Sequence, residues 1–200
     1  MKTTSIFVPS LLEVGTKEWH ENRRNYITAS ECGAIMQLSP FTPAAKIFYL
    51  KLGLLQDDEL QNEAVHWGRQ LENLIINDWQ SHTGEEKSYL KKEKQREAER
   101  IQGYYTTKEY PFLASTPDAI FSQFSLKILP DGNIERTPMS EYCPLEVKSI
   151  SQWSAGQWQA GIPPFYLCQI TLQMICQNLC EGCPSTLFKG SSTSWASSSP

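Results

Sequence analysis

Hydrophobic positions recur along this chain with a helical period in its first half and with period two in its middle. Across residues 60–82, Val65, Gly68, Glu72, Ile75, Ile76 and Trp79 fall three, four and seven apart, the stripe of a long amphipathic helix, and Gly84 just beyond acts as a stop. Thr42-Pro43 reads as an N-cap with proline at the first helical position, and Gly53 closes the helix predicted over 44–52. Thr28-x-x-Glu31 is a capping box opening another helix. In Leu145-Glu146-Val147-Lys148 the period changes to two, so in a strand Glu146 and Lys148 share one face while Leu145 and Val147 face the core. Helical spacing returns over 165–179, after the break at Pro163-Pro164.

The strand-rich middle contains its own fold point. Asp118 and Glu146 lie symmetrically about Gly132, inside Pro130-Asp131-Gly132-Asn133, whose Asp-Gly step is a strong hairpin signal. Folding there brings Asp118 opposite Glu146. Each arm would reach roughly 45 Å at about 3.3 Å per residue, longer than ordinary strands, which predicts bulges or a projecting hairpin tip.

Two carboxylates and an amine form the minimal equipment for metal-dependent phosphodiester hydrolysis. Mg²⁺ favours a few carboxylates with water and phosphate oxygens completing its shell, and Asp118 with Glu146 supplies such a half-open site. Lys148 beside it can orient the attacking water and neutralise developing phosphate charge. The plainer alternative is that Pro117-Asp118 marks a turn and Glu146-x-Lys148 is a solvated strand face. Glu72, inside an apolar stripe, needs a metal, Lys148 or a hydrogen-bond donor, unless it reaches water or pairs with Arg69. On the last helix Tyr166, Gln169 and Gln173 share a face, suited to phosphate, to metal-bound carboxylates, or merely to solvent.

Five segments, in order, carry a resemblance: Trp19-His20-Glu21-Asn22-Arg23, Ile27-Thr28-Ala29-Ser30-Glu31, Trp67-Gly68-Arg69-Gln70-Leu71-Glu72-Asn73, Ser115-Thr116-Pro117-Asp118 and Leu145-Glu146-Val147-Lys148. Together they resemble the YqaJ-type viral recombinase family that includes phage lambda exonuclease, within the restriction-endonuclease-like nucleases. The resemblance implies an α/β (α+β) fold, a restriction-endonuclease-like core with a central mixed β-sheet flanked by helices, behind a helical N-terminal half. It also implies Mg²⁺-dependent digestion of duplex DNA from its ends, 5′→3′, in the service of recombination, with Mn²⁺ able to substitute. By the same resemblance Asp118, Glu146 and the Val147 carbonyl are metal ligands, Lys148 is the catalytic lysine, and Glu72 is an outer acid near a second metal. Arg23 and Ser30 match the 5′-phosphate contacts, and Gln169 and Gln173 sit on the helix that carries substrate contacts. Independently, Ser30 lies in the first turn after the capping box and Arg23 can clamp a phosphate bidentately, although Arg23-Arg24 also reads as a surface pair. The implied partners are double-stranded DNA ends, a single-strand annealing recombinase, and further copies of the chain in a trimeric ring.

Composition adjusts this picture at few points. The formal net charge of -4 over 200 residues runs against DNA binding, but local patches matter more than the sum and metal neutralises an acidic site. Residues 87–100 mix Lys91, Lys92, Lys94, Arg96 and Arg100 with Glu93, Glu97 and Glu99, which reads as a solvated helix in preference to a DNA-tracking patch. Ser5-Ile6-Phe7-Val8 ends at Pro9, too short for a secretory segment, and no stretch approaches the roughly twenty apolar residues of a membrane span. The expected setting is intracellular and soluble, cytoplasm or a eukaryotic nucleus, with six reduced cysteines. Cys176, Cys180 and Cys183 with Cys32 invite an iron-sulfur cluster of the kind some superfamily relatives hold. Their spacing departs from that arrangement and reads as small buried hydrophobes.

The expected organisation is a nuclease domain over 1–188, cut short at its C-terminal side relative to the lambda-like proteins, followed by a Ser-rich disordered tail over 189–200. Two classes of function remain at this point: the deoxyribonuclease, or a non-catalytic DNA-end-binding remnant whose scaffold no longer supports turnover.

Overall fold

In the computed structural model, residues 4–12, 16–56, 63–81, 96–130, 134–138, 142–149, 156–179, 185–189 and 195–198 are described. The first half runs β1 (Ser5–Pro9), α1 (Lys17–Arg23), β2 (Ile27–Thr28), α2 (Ala29–Ile35), α3 (Ala44–Lys51) and α4 (Glu63–Ser81). The second half runs β3 (Arg96–Glu99), β4 (Gly103–Thr107), β5 (Leu113–Ala114), β6 (Ala119–Ile128), β7 (Ile134–Pro138), β8 (Cys143–Lys148), α5 (Pro164–Cys176), β9 (Ser185–Lys189) and β10 (Trp195–Ser198). The capping box at Thr28 opens α2, with Glu31 Oε2 accepting the Thr28 amide at 2.9 Å. Gly53, at φ +69°, ends α3 where an L side chain would be strained. Pro164 starts α5 and Asn178, at φ 58°, ends it.

A six-stranded mixed sheet in the order β10-β9-β8-β6-β3, with β7 also on β6, forms the centre. Only β8 and β9 are parallel in it, and α5 makes the crossover between them, as parallel strands require. Period two in β6 and β8 assigns their faces. Ala119, Phe121, Cys143, Leu145 and Val147 form one buried cluster with Ile75 and Ile76 of α4. Burying each isoleucine contributes about 1.5–3 kcal/mol before losses of chain entropy. The opposite face of β8 meets α5, so five of its six residues are buried and Glu146 is 2% exposed. A second core joins Ala29 of α2 to Leu172 and Cys176 of α5, with Tyr105 and Leu113 against it.

The fold point at Gly132 acts as expected, although residues 131–133 themselves fall outside the described set. β6 pairs β7 from Ile128↔Ile134 to Phe124↔Pro138, and pairs β8 from Phe121↔Cys143 to Ala119↔Leu145. The register shifts by two residues between the two paired stretches, as an interrupted hairpin requires. Gly84 and most of the mixed-charge run also fall outside the described residues.

Three expectations are corrected. The described part of that charged run is the strand β3 and no helix: Glu99↔Ile120 to Arg96↔Gln123 pairs it with β6, and Ala98 packs on the core between charged neighbours. Tertiary pairing there overrides local propensity. Within the tail assigned to disorder, Trp195–Ser198 pairs antiparallel with β9, since backbone pairing at a sheet edge needs no apolar side chains. Cys143 is disulfide-bonded, so the thiols are not all reduced; such pairing follows tertiary proximity, which spacing does not reveal.

The approach of α2 to α5 is close enough to test. A Cβ placed on Gly33 would lie 2.7 Å from Phe165 Cβ and 3.0 Å from its backbone. Gly33→Ala should therefore destabilise the fold by about 1–3 kcal/mol through overpacking, read as a lower urea midpoint. An unchanged midpoint would mean that the two helices separate freely.

Candidate active site

Pairing of Ala119 with Leu145 sets Asp118 at the end of β6 beside Glu146 and Val147. The residues before Asp118 are fixed first. Ser115 exchanges backbone hydrogen bonds with Tyr105 at 2.8 and 2.9 Å, and Pro117 is fully buried. The Val147 amide then donates to Asp118 Oδ2 at 2.6 Å. A carboxylate at a strand end thus takes a donor from the neighbouring strand.

Glu146 is held by three side-chain donors. Lys148 Nζ and Gln169 Nε2 both donate to its Oε1, and Gln173 Nε2 donates to its Oε2 at 2.7 Å. Gln169 and Gln173 are one helical turn apart on α5, which is why both amides reach one carboxylate. Sequence left them open between phosphate and carboxylates; the structure gives their donors to the carboxylate. Tyr166, one turn earlier, places its ring 5.6 Å from Lys148 Nζ, within cation–π range.

The electrostatics are those of crowded acids around one cation. Burial, then the Glu146 carboxylate, push Asp118 up to about 8; Lys148 pulls the other way and Glu72 adds a further upward push. Burial also opposes charge on Lys148, but Glu146 and Asp118 more than offset it and hold the ammonium above its ordinary range. Lys148 is therefore a cation at neutral pH.

Glu72 is close enough to act on Asp118 and also pairs with Arg100, at the end of β3. The Arg69 side chain lies outside the described residues. Arg100 was legible only as one charge in a mixed run, because β3 had to be placed beside α4 before the pair could form. Among the described residues no group of three or more His, Cys, Asp and Glu side chains is disposed to hold a metal.

Arg23 and Ser30 form a second cluster. Arg23 Nη2 donates to Thr28 Oγ1 at 3.0 Å and to Ser30 Oγ at 3.2 Å, and its guanidinium lies 4.5 Å from the centre of the Trp19 ring. With only seven residues, α2 adds little dipole, so this cluster is made by side chains. Of the cysteines considered for a cluster, Cys176 is fully buried and Cys32 hydrogen bonds Cys168 of α5; Cys180 and Cys183 lie outside the described residues.

A mixed sheet with α4 on one face and α5 on the other thus carries Asp118, Glu146 and Lys148 at adjoining strand ends. The solved structure of LHK-Exo in complex with dAMP matches with a TM-score of 0.52 at 18% identity, over 88% of this chain and 75% of that one. Residues 18–180 match the YqaJ-like viral recombinase domain, and the chain belongs to that family. It is 23% identical over 159 residues to an uncharacterized protein YqaJ of Bacillus subtilis (strain 168), covering 79% of this chain and 41% of that protein. The chain thus spans well under half the length of that relative.

Asp118 makes stability depend on pH in a defined direction. Its native carboxyl keeps a proton that the unfolded chain has lost, from about the ordinary value of 3.8 up to about 8. Its contribution is fully present below the lower value and is lost as pH rises through the higher one. In EDTA, Asp118→Asn should be more stable than wild type near pH 8 by at least about 1 kcal/mol, with the gap closing toward about pH 4. Parallel urea midpoints across that range would contradict the placement.

Proposed function

We propose that this domain is a Mg²⁺-dependent deoxyribonuclease that digests duplex DNA from an end, 5′→3′, as its family's association with recombination suggests. The observation that carries the reading is the adjacency of Asp118, Glu146 and Lys148 across the β6–β8 pair.

The donor chemistry fits a hard divalent cation. Asp118 is a buried acid whose charge is disfavoured as it stands, and a cation would restore the carboxylate. Asp118, Glu146 and the Val147 carbonyl are the proposed ligands of Mg²⁺, or of Mn²⁺ in its place, with Glu72 near a second ion through water. Bound there, the metal would supply Lewis-acid stabilisation of charge on the phosphodiester. The chain's own residues do the rest. Lys148, kept charged, orients the attacking water and neutralises charge as it develops on phosphate oxygens. Gln169 and Gln173 fix the Glu146 carboxylate so that its position does not change when substrate arrives.

End recognition is assigned to Arg23, Thr28 and Ser30. Arg23 presents a preformed planar fork, suited to a terminal phosphate with two or more accessible oxygens. LHK-Exo was solved with dAMP, a mononucleotide carrying one such phosphate, which supports the comparison. Among the described residues no helix is long and apolar enough to cross a membrane.

Incubating the purified chain with end-labelled linear duplex, with Mg²⁺ and with EDTA, tests the reading. Wild type should release label only with metal, and Lys148→Ala and Asp118→Asn should each slow release by about 100-fold or more. Glu72→Gln should be milder. Full rates in either of the first two variants would remove this site from the reaction, whereas retained binding to DNA ends without cleavage by wild type would replace the enzyme by an end-binding module.

A further inference from the structure

The cluster around Arg23 contains an acid that competes with any phosphate for the same guanidinium. Glu31 Oε1 lies 3.9 Å from Arg23 Nη2, just beyond a hydrogen bond, while Glu31 Oε2 caps the Thr28 amide. A carboxylate and a guanidinium this close ordinarily close to a bidentate pair. Here Lys51 stands on the other side. Its Nζ is 2.8 Å from Glu31 Oε2 and donates at 2.8 Å to the backbone carbonyl of Arg23, tying the last turn of α3 to the end of α1. The Glu31 and Lys51 side chains are only 12% and 20% exposed, so solvent screens their attraction less than at a free surface.

We propose that Lys51 is a positioning residue that holds Glu31 off Arg23 and so leaves the guanidinium open to a 5′-terminal phosphate. This rests on the phosphate-binding reading of the Arg23 cluster and adds to it the residue that keeps the cluster receptive. Without the ammonium, Glu31 loses its 2.8 Å ion pair and keeps the Arg23 guanidinium 3.9 Å away. Arg23 would then be spent on an internal ion pair. With it, Glu31 keeps its structural duty at the capping box and the pocket keeps a net positive charge.

The test is equilibrium binding in EDTA, by fluorescence anisotropy, of a short blunt duplex with either a 5′-phosphate or a 5′-hydroxyl. Wild type should prefer the phosphorylated end, and Lys51→Met should reduce that preference by about tenfold, while Lys51→Arg keeps it. Adding Glu31→Gln to Lys51→Met should restore it, because glutamine still accepts the Thr28 amide but no longer attracts Arg23. A purely structural lysine would not be rescued in this way. If Lys51→Met does not fold, Glu31→Gln alone should hold or exceed the wild-type preference, and a loss there overturns the proposal. Arg23→Ala separates the two claims. If it leaves the preference intact, the phosphate pocket falls and this inference with it. If it abolishes the preference while Lys51→Met preserves it, or while the double variant stays defective, the pocket stands and the role of Lys51 is refuted.

Discussion

Burying the Glu146 carboxylate in a strand with neighbours on both edges and helices on both faces is the constraint from which the rest of the site follows. A lone charge there would be very costly, so the fold must supply donors from several directions. Lys148 comes from the same strand face, Gln169 and Gln173 from two turns of α5, and each bonds Glu146 directly. The crossover between β8 and β9 therefore does more than join parallel strands: it delivers the amides that make a buried acid tolerable. Asp118 meets a milder version of the same demand through the Val147 amide, and remains partly uncompensated. That residual imbalance is what a divalent cation would relieve in the proposed enzyme.

Helix packing also links the two clusters of the proposed enzyme. α5 faces Glu146 with its glutamines and packs α2 with its other side, where Gly33 admits Phe165 at contact distance. α2 in turn carries Ser30 and Glu31, so the Arg23 cluster is connected to β8 through α2 and α5. An end-digesting nuclease needs a fixed span between the terminal phosphate and the reacting bond, and helix packing of this kind is a means of setting it. The acidic net charge does not oppose this, since the local grouping of Arg23 and Lys51 is independent of the total.

Much of this was legible in the chain because two simple periodicities fix it. The alternation at 145–148 and the symmetry of Asp118 and Glu146 about Gly132 were sufficient to bring the acids together, and the pairing of Ala119 with Leu145 is the register that symmetry requires. The α4 stripe likewise foretold Ile75 and Ile76 in the core. What stayed hidden depends on contacts between segments far apart. Arg100 as the partner of Glu72 needed β3 laid beside α4, and β3 itself was masked by a charged composition that reads as helix. Lys51 as the partner of Glu31 needed α3 docked on the end of α1. The Ser-rich segment paired as β10 shows the same limit from the other side, since backbone pairing leaves little trace in side-chain pattern.

The central claim is that the β6–β8 register builds a divalent-metal site from Asp118 and Glu146. Anomalous diffraction from crystals soaked in Mn²⁺ tests it most directly. The account predicts a manganese peak within coordination distance of both carboxylates and of the Val147 carbonyl, absent from crystals of Asp118→Asn. Ordered side chains at Asp118 and Glu146 with no peak between them, or a peak that survives Asp118→Asn, would contradict it.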